Sequence, residues 1–282
     1  MTEKLADQIN LADYRLLVFD IDGTLLGRGA DLQEFTKQTL LRLRERGFSF
    51  TLATGKSLPA TKSLADELAI DLPLILGNGT LIQTRQGEIL ERTSLLQAVT
   101  RDVIDVCDSH NQDLVLYIDD GLYMLHMTEN MRPVYGVVEF GLYEVGRWGA
   151  LGHKLALTNK CVAVETADPL KLLALEDVFR STTNGRADVI RTCDELLEVV
   201  PKDVDKASGL RALGDRLDIE MSEVMAFGDF DNDASMLAEA GLGVAVSGAS
   251  EAAIHSADIM VGTCEQQGPA VFLSQLLERM QT

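Results

Sequence analysis

Short apolar runs alternate with amphipathic segments along the first part of the chain. Apolar residues recur at helical spacing in DLQEFTKQTLLRLRERG, which Gly47 ends, and in SLPATKSLADELAI. The runs on either side of these helices, LLVF, FSFTLATGK and LPLILGNGT, have the length of buried strands. The order strand, helix, strand, helix, strand is typical of a doubly wound parallel sheet. We therefore predict a Rossmann-like α/β unit at the start of the chain.

The pattern changes after Asn78-Gly79. TLIQTRQGEILER and DLVLYIDDGLYMLHM each predict a hairpin, the first turning at Gly87 and the second at residues 119–121. Helical segments (TSLLQAVTRDVIDVCDSH and PLKLLALEDVFRSTT) and short strands (KCVAVETA and ADVIRTC) complete an α+β block. The parallel pattern then returns with the helix KASGLRALGDRLDI and the strand EVMAFGD.

The chain has 282 residues, 46% of them hydrophobic, with a mean hydropathy of +0.06, which is ample for one large domain or two smaller ones. Because the α+β block interrupts the parallel pattern, we expect one domain to be inserted into the other. The predicted core comprises residues 1–82 and 196–282, with LLEVV as one of its strands, and the inserted domain comprises residues 83–195.

The formal net charge of −19 argues against nucleic acid or an anionic membrane as a partner, because neither is attracted to an acidic surface. The apolar runs are all shorter than the ~18 residues that span a bilayer. The stretch before the first strand carries acids and no apolar run, so we expect no secretory signal. The cysteines are far apart and form no CxxC pair: Cys107, Cys161, Cys193 and Cys264. They predict reduced thiols in a cytoplasmic protein, whose oligomeric state the sequence leaves open.

Three of the predicted parallel strands are followed by polar residues. Asp20 and Asp22 follow the first strand, Thr54 follows the second and Asn78 follows the third. In doubly wound sheets, ligands bind at the carboxyl ends of the strands. Two carboxylates at the mouth of one buried strand need a metal ion, a cation or backbone donors as partners, since an unpaired buried charge is costly. Lys206, at the predicted start of a helix, and Asp229 in GDFDND are candidates for this site.

Each of these residues also has a simpler interpretation. The aspartate pair could cap a helix, Thr54 could be a turn hydroxyl, and Lys206 could be a solvated lysine in the run KDVDKA. Asp231 is expected at the solvated surface. The four histidines share no spacing, and we assign them no catalytic role. The functional interpretation is favoured because all the expected partners of the aspartate pair are present along the chain.

Four segments, taken together, resemble the motifs of the haloacid dehalogenase superfamily of phosphotransferases: DIDGTLL, LATGK, VDKASG and GDFDNDASMLAEAG. More specifically, they resemble the Cof-type phosphatases, in which a large cap is inserted between the second and third motifs. The resemblance covers nearly the whole chain in order and spacing. It implies a Rossmann-like catalytic core, an α+β cap, and an enzyme that hydrolyses phosphate esters.

The resemblance assigns catalytic roles to both aspartates of the first motif. Asp20 is expected to be the nucleophile that forms an aspartyl-phosphate, and Asp22 to protonate the leaving oxygen and then activate water. Mg²⁺ is the expected cofactor, with Asp20, Asp229 and the backbone carbonyl of Asp22 as its ligands. An all-oxygen, carboxylate-rich site suits this hard cation.

The remaining motif residues are expected to bind or support the phosphoryl group. The resemblance implies that Thr54 and the Gly55 amide hold this group and that Lys206 offsets its charge. Asn232 and Asp233 are expected to position Lys206 and the metal-bound water molecules.

One position departs from the Cof-type pattern. Lys56 follows Thr54-Gly55 where these phosphatases usually have arginine, and lysine cannot make the bidentate contacts of a guanidinium. We expect the inserted cap to select the substrate and to exclude water, since the core motifs address only the phosphoryl group. Arg28 and Lys56 on the core loops are the alternative contacts for the substrate.

The sequence therefore predicts a Mg²⁺-dependent phosphatase of a small phosphorylated metabolite, with a sugar phosphate as the expected substrate. A phosphomutase of the same superfamily is the nearest alternative, and initial release of free phosphate would separate the two. A receiver-type phosphoacceptor module also combines acids, Mg²⁺ and a lysine, but receivers are much shorter and lack DxDGT. A binding protein that has lost activity is the third alternative.

Overall fold

The computed structural model describes residues 9–27, 31–119, 121–138, 140–168 and 170–280. Arg28, part of the predicted 119–121 turn and the first eight residues of the N-terminal stretch lie outside the described residues. Within these ranges, no helix combines the length and the apolar character that crossing a bilayer requires.

Strands and helices alternate along the described chain. The strands are β1 (Leu16–Phe19), β2 (Ser49–Leu52), β3 (Leu74–Leu76), β4 (Leu81–Gln83), β5 (Ile89–Arg92), β6 (Asp113–Ile118), β7 (Gly121–Met124), β8 (Leu142–Glu144), β9 (Thr158–Val164), β10 (Ala187–Cys193), β11 (Leu196–Pro201), β12 (Val224–Gly228), β13 (Leu242–Val246) and β14 (Ile259–Val261). The α-helices are α1 (Glu34–Glu45), α2 (Leu58–Glu67), α3 (Gln97–His110), α4 (Arg132–Tyr135), α5 (Leu170–Thr183), α6 (Lys206–Leu217), α7 (Ala234–Glu239), α8 (Glu251–Ser256) and α9 (Gly268–Arg279). Short 3₁₀ segments occur at Leu11–Asp13, Gly77–Gly79, Trp148–Leu157, Met221–Glu223 and Asp231–Asp233.

A parallel sheet in the order β14-β13-β12-β1-β2 forms the centre of the core domain. All the residues of β1 are buried, and alternate residues enter two different hydrophobic clusters. Leu17 and Phe19 pack with side chains of α1 and α9, whereas Leu16 and Val18 pack with side chains of α6 and α7. Helices cover both faces of the sheet, which confirms the predicted doubly wound α/β fold.

A second sheet, in the order β10-β11-β9-β6-β7-β8, forms the α+β domain. One face packs against α3 and α5, where Val103 and Phe179 share a buried cluster with Cys161 of β9. On the opposite face, Tyr135 of α4 shares another cluster with Val162 of β9. The α+β domain therefore has hydrophobic clusters of its own, which is consistent with an inserted domain.

The strand pairing places both domain boundaries at residues other than the predicted 83 and 196. The β4–β5 hairpin pairs with β3, which an isolated bridge joins to the end of β2, so the inserted domain does not begin at residue 83. β11, predicted as a core strand, lies between β9 and β10 of the second sheet, and the prediction that the core resumes at residue 196 is wrong. The reason is that Leu197 and Val199 pack into the cluster of the second sheet. We propose that the cap comprises residues 94–201, since the amide of Thr93 still donates a hydrogen bond to the carbonyl of Thr80.

Several local predictions are confirmed. Both hairpins are present, as the antiparallel pairs β4–β5 and β6–β7. All four cysteines are free thiols, and three of them are buried. β8 and the 3₁₀ segment Trp148–Leu157 lie in a stretch for which the sequence predicted no element.

Candidate active site

Asp20 and Asp229 emerge side by side at the carboxyl ends of two neighbouring parallel strands. β1 and β12 pair in register, with Phe19 opposite Phe227, and the amide of Asp20 donates a hydrogen bond to the carbonyl of Phe227 at 2.9 Å. The two phenylalanine rings stack with their centroids 4.6 Å apart, which adds to the packing of the sheet at this point. The residues that follow these two strands therefore share one edge of the sheet.

The turn after Asp20 folds onto Asp229. Gly23 has a φ of +90°, and a Cβ atom at this position would collide with the carboxylate of Asp229. The hydroxyl of Thr24 donates a hydrogen bond to Oδ1 of Asp229 at 2.9 Å. The DIDGT motif therefore needs its glycine for close approach and its threonine to orient a carboxylate about two hundred residues away.

Lys206 lies between Asp20 and Asp233 in the first turn of α6. A capping box of Asp205 and Ser208 starts this helix, and Asp205 accepts a hydrogen bond from the Ser208 amide at 2.8 Å. Nζ of Lys206 is 2.5 Å from Oδ1 of Asp20 and 2.6 Å from Oδ1 of Asp233. The side chain of Lys206 is 0% exposed, so its interpretation as a solvated surface lysine is wrong. Asp20 thus has a cationic partner.

The carboxylate of Asp233 holds the loop that follows β12. Its Oδ2 accepts hydrogen bonds from the amides of Asp229 and Phe230, both at 3.0 Å, while its Oδ1 accepts from Lys206. A Cβ atom on Gly228 would press against this carboxylate, so the glycine allows the close approach. Asp233 therefore joins Lys206 to the loop that carries Asp229.

Negative charge exceeds positive charge in this buried cluster. Burial raises the pKa of Asp20 well above its usual value, and Lys206 only partly opposes this shift. Burial also raises the pKa of Asp229 to about 6, with a further contribution from the charge of Asp233. For Lys206, burial alone lowers the pKa, but the charges of Asp20 and Asp233 raise it above its usual value. The lysine therefore stays protonated, and the cluster would be stabilised by a further cation.

Carboxylate oxygens of Asp20, Asp229 and Asp233 lie within 4.8 Å of one another. This all-oxygen set fits a hard divalent cation, which would also balance the excess negative charge. Because the oxygens of Asp233 already bind Lys206 and two amides, Asp20 and Asp229 are the better placed to hold the ion. The side chain of Asp22 pairs with Lys56, and its backbone carbonyl as a ligand stays a prediction.

Asp22 pairs with Lys56 at the mouth of the site. Nζ of Lys56 is 2.7 Å from Oδ2 and 2.8 Å from Oδ1 of Asp22. The side chain of Asp22 is 46% exposed and that of Lys56 is 36% exposed, so both are accessible to a bound substrate. Lys56 therefore contacts the carboxylate that is predicted to transfer protons.

The loop after β2 presents Thr54 and Gly55 beside the loop after β3. The amide of Asn78 donates a hydrogen bond to the carbonyl of Thr54 at 2.9 Å, and a Cβ atom on Gly55 would lie 3.1 Å from the Asn78 side chain. Nδ2 of Asn232 donates to Oδ1 of Asn78 at 3.0 Å. The side chain of Asn232 therefore supports the Asn78 loop, and its role in positioning Lys206 and metal-bound water molecules stays a prediction.

Two polar residues around this site, Lys160 and Glu198, were not predicted from the sequence, and Asn78 was placed at the end of its strand without a role. Asn78 has a φ of +59°, and its side chain bridges Asn232 and Glu198. Lys160 pairs with Glu198 at 2.7 Å and also reaches the carbonyl of Gly55. The available signal was a charged residue within each of two apolar strand segments, TNKCVAV and LLEVVP, because such charges are buried only when they are paired.

Comparisons with known proteins agree with this architecture. The sequence profile of the haloacid dehalogenase-like hydrolases matches residues 17–273. Two curated proteins named HMP-PP phosphatase, from Citrobacter koseri and Cronobacter sakazakii, are each 30% identical to this chain, and the alignments cover 94% of it and 96% of the relatives. The crystal structure of a haloacid dehalogenase-like hydrolase from Bacteroides thetaiotaomicron is 26% identical, with a TM-score of 0.84 over 93% of this chain and 99% of that one.

The matched region contains all four motifs, and the fold places them at one edge of the core sheet and its neighbouring loops. The expectation of an enzyme that is a phosphoric monoester hydrolase is confirmed. The chain belongs to the haloacid dehalogenase-like hydrolase family.

Proposed function

We propose that this hydrolase is a Mg²⁺-dependent phosphatase that works through an aspartyl-phosphate on Asp20. The observation that carries the proposal is the 2.5 Å contact of Lys206 with Asp20 in a buried carboxylate cluster that includes Asp229. Lys206 engages one oxygen of Asp20 and so orients the carboxylate. A fixed nucleophile, a nearby cation and a set of hard oxygen ligands are what phosphate-ester hydrolysis through a covalent intermediate requires.

In the first step, a carboxylate oxygen of Asp20 attacks the phosphorus, and the bond from phosphorus to the leaving oxygen breaks. Asp22 gives its proton to that oxygen, so the alcohol leaves in its neutral form. The exposure of Asp22 and its contact with Lys56 suit a transfer to a substrate that enters from solvent. Lys206 and the backbone at Gly55 offset the charge of the phosphoryl oxygens.

In the second step, Asp22 takes a proton from a water molecule that attacks the phosphorus. The bond from phosphorus to Asp20 breaks, free phosphate leaves, and Asp20 returns as a carboxylate. Asp20 and Asp229 would hold Mg²⁺, which supplies further charge neutralisation for the phosphoryl oxygens. Thr24 and Asp233 keep the carboxylates and Lys206 in place.

We propose a small phosphorylated metabolite as the substrate, with a sugar phosphate as the first candidate. HMP-PP is the second candidate, because two curated relatives at 30% identity over 94% of the chain are named HMP-PP phosphatase. The core motifs address the phosphoryl group alone, so recognition of the rest of the substrate is assigned to the cap. We also propose a cytoplasmic location, because the four cysteines are free thiols and the cytoplasm keeps thiols reduced.

A phosphate-release screen over sugar phosphates, HMP-PP and other phosphorylated metabolites, with Mg²⁺ added, tests the proposal. The nearly isosteric variant Asp20→Asn is the control that ties turnover to this site. We expect the wild-type enzyme to release free phosphate and Asp20→Asn to release none. Transfer of the phosphoryl group back to a sugar, without free phosphate, would identify a phosphomutase instead. Substantial activity in a folded Asp20→Asn protein would remove Asp20 from the nucleophile role.

A further inference from the structure

A buried polar cluster joins the cap to the two core loops beside the phosphoryl site. We call it the cap–core cluster, and it consists of Lys160, Glu198, Gly55 and Asn78. Nζ of Lys160 is 2.7 Å from Oε1 of Glu198 and 2.8 Å from the carbonyl oxygen of Gly55. Nδ2 of Asn78 donates to Oε2 of Glu198 at 3.1 Å. Lys160 lies on β9 and Glu198 on β11, whereas Gly55 and Asn78 follow β2 and β3, so the cluster crosses between the domains at two points.

The charges of the cap–core cluster are about as deeply buried as those of Lys206 and Asp233 in the active site. The side chain of Lys160 is 1% exposed and that of Glu198 is 3% exposed. Burial of this kind is tolerated when the two charges are paired and their remaining hydrogen-bonding capacity is used. Glu198 meets this condition, because Thr192 also donates to its Oε1 at 3.2 Å.

The ammonium group of Lys160 is fully engaged within the described structure. An ammonium group has three N–H donors. One donates to Gly55, one donates to Glu198, and the ring of Tyr117 lies with its centroid 4.5 Å from Nζ, within cation–π distance. A substrate could bind Lys160 only by displacing one of these partners. The geometry therefore favours a role in holding the core loop over a role in binding the substrate.

The carbonyl that Lys160 holds belongs to the peptide between Gly55 and Lys56. The amide of this peptide donates to Oγ1 of Thr54 at 3.2 Å, so both of its polar atoms are engaged. On the other loop, the Asn78 side chain is held between Glu198 and Asn232. Separation of the cap from the core would break the contact of Lys160 with Gly55 and that of Glu198 with Asn78. Both core loops would then be less constrained.

Taking the proposed phosphatase function as the basis, we propose that Lys160 and Glu198 are positioning residues that couple docking of the cap to the orientation of the phosphoryl-binding loop. Lys160 acts through the carbonyl of Gly55, and Glu198 acts through the side chain of Asn78. The loop of Thr54 and Gly55, which binds the phosphoryl group, then keeps its productive geometry only while the cap is docked. This coupling would restrict the chemistry to the closed enzyme, from which water is largely excluded.

The variants Lys160→Met, Glu198→Gln and Lys160→Met/Glu198→Gln test the coupling. Lys160→Met leaves a buried glutamate charge unpaired, which is destabilising in itself, whereas the double variant restores neutrality. A merely structural pair therefore predicts recovery in the double variant. Positioning predicts no recovery, because the contact with Gly55 is still missing. Lys171→Met is the matched control, since it breaks a lysine–glutamate pair within the cap, where Nζ of Lys171 is 3.2 Å from Glu165.

We expect kcat/KM for p-nitrophenyl phosphate to fall roughly 10- to 100-fold in Lys160→Met and in the double variant, as for a small misplacement of reacting groups. The inhibition constant of inorganic phosphate should rise in parallel, because the same loop holds the phosphate oxygens. In Glu198→Gln, kcat/KM should fall and the inhibition constant should rise by smaller factors. In Lys171→Met, both constants should equal those of the wild type. Recovery of wild-type kinetics in the double variant, or unchanged phosphate inhibition in every variant, would overturn the proposal.

Hydrogen–deuterium exchange of the substrate-free enzyme provides a readout that does not depend on turnover. Peptides covering residues 53–57 and 76–80 should exchange faster in Lys160→Met and in the double variant than in the wild type or Lys171→Met. This difference is expected even if none of the screened metabolites is hydrolysed, so a failure of the proposed function can be told apart from a failure of the coupling. Equal exchange in all four proteins would refute the positioning role.

Discussion

At the residue scale, Asp20 places function and stability in opposition. Burial raises its pKa well above the usual value, so the native state disfavours the carboxylate form that a nucleophile needs. Ionisation of this carboxyl therefore destabilises the fold, and the penalty is lost as the pH falls from the raised pKa toward the usual one. Lys206 offsets part of the penalty through its 2.5 Å contact. A site of this kind is retained for its chemistry at a cost in stability.

Asp20→Asn should therefore abolish turnover while leaving the melting temperature in Mg²⁺-free buffer unchanged or higher. Lys206→Met should lower it, because removing the lysine leaves Asp20 and Asp233 without their buried cation, a change that costs about 3–5 kcal/mol. Thermal unfolding in the presence of EDTA measures both effects. A clear loss of stability in Asp20→Asn would show that its carboxylate contributes to the fold rather than straining it.

A second prediction at this scale concerns the exposed pair of Lys56 and Asp22. Lys56→Met should slow the hydrolysis of alkyl phosphate esters and hardly affect p-nitrophenyl phosphate, because only a poor leaving group needs the proton that Asp22 delivers. Stability should change by less than about 1 kcal/mol, since the pair is solvent-exposed. The ratio of kcat/KM for the two substrates is the measurement. Equal losses on both substrates would instead place Lys56 at the phosphoryl group.

At the element scale, the parallel pairing of β1 with β12 creates the candidate metal site. The register of the two strands brings Asp20 and Asp229 to the same edge of the sheet, and Asp233 returns from the 3₁₀ segment Asp231–Asp233 to support both the loop and Lys206. The site thus depends on two strands whose sequences are about two hundred residues apart. Divalent-cation binding should accordingly stabilise the folded protein, because the ligands converge only after these strands pair.

Mg²⁺ should raise the melting temperature of the wild type and restore activity after treatment with EDTA. Asp229→Asn should lose most of the Mg²⁺-dependent shift, whereas Asp231→Asn, on the same loop with an exposed side chain, should keep it. Zn²⁺ should substitute poorly, since the ligands are hard oxygens. Full activity after exhaustive chelation would exclude the metal requirement, and an unchanged shift in Asp229→Asn would exclude Asp229 as a ligand.

At the scale of the whole molecule, two domains with separate hydrophobic clusters meet through polar contacts. Besides the cap–core cluster, Nε of Arg92 lies 2.6 Å from Oδ1 of Asp119, which joins the β4–β5 hairpin to the cap. Polar interfaces between domains permit relative motion more readily than large apolar ones do. The cap is therefore expected to open for exchange of substrate and product and to dock for the chemical steps.

Replacing residues 94–201 with a short Gly/Ser linker tests what the cap contributes. The core should fold, because its two hydrophobic clusters lie outside this range. We expect kcat/KM for p-nitrophenyl phosphate to fall to about the level of Lys160→Met, and that for the best metabolite to fall much further, since its leaving group also loses recognition. Circular dichroism and Mg²⁺-dependent melting would verify that the core is intact. A loss in equal proportion for both substrates would show that the cap does not determine specificity.

The sequence by itself determined the parallel core, the two hairpins and the main members of the site. These features depend on local signals: apolar runs of strand length, helical periodicity, and polar residues placed directly after strands. Parallel strands share a carboxyl edge, so Asp20, Asp229 and the Thr54 loop could be assigned to one region without coordinates. Lys206 was added through the resemblance of VDKASG to a family motif, which supplies the cation that a buried carboxylate pair needs.

Only the tertiary structure decided which sheet each strand joins and which polar groups pair. The pattern of LLEVVP is equally compatible with a strand of the core sheet and a strand of the cap sheet. An apolar run indicates burial and does not identify the neighbouring strand. Asn232 turned out to support Asn78, a contact between loops that are 154 residues apart. Lys160 and Glu198 are 38 residues apart and meet only because β9 and β11 pair in the cap sheet. Such pairings result from the packing of distant segments: a charge within an apolar run indicates that a partner is needed, but not which residue the partner is.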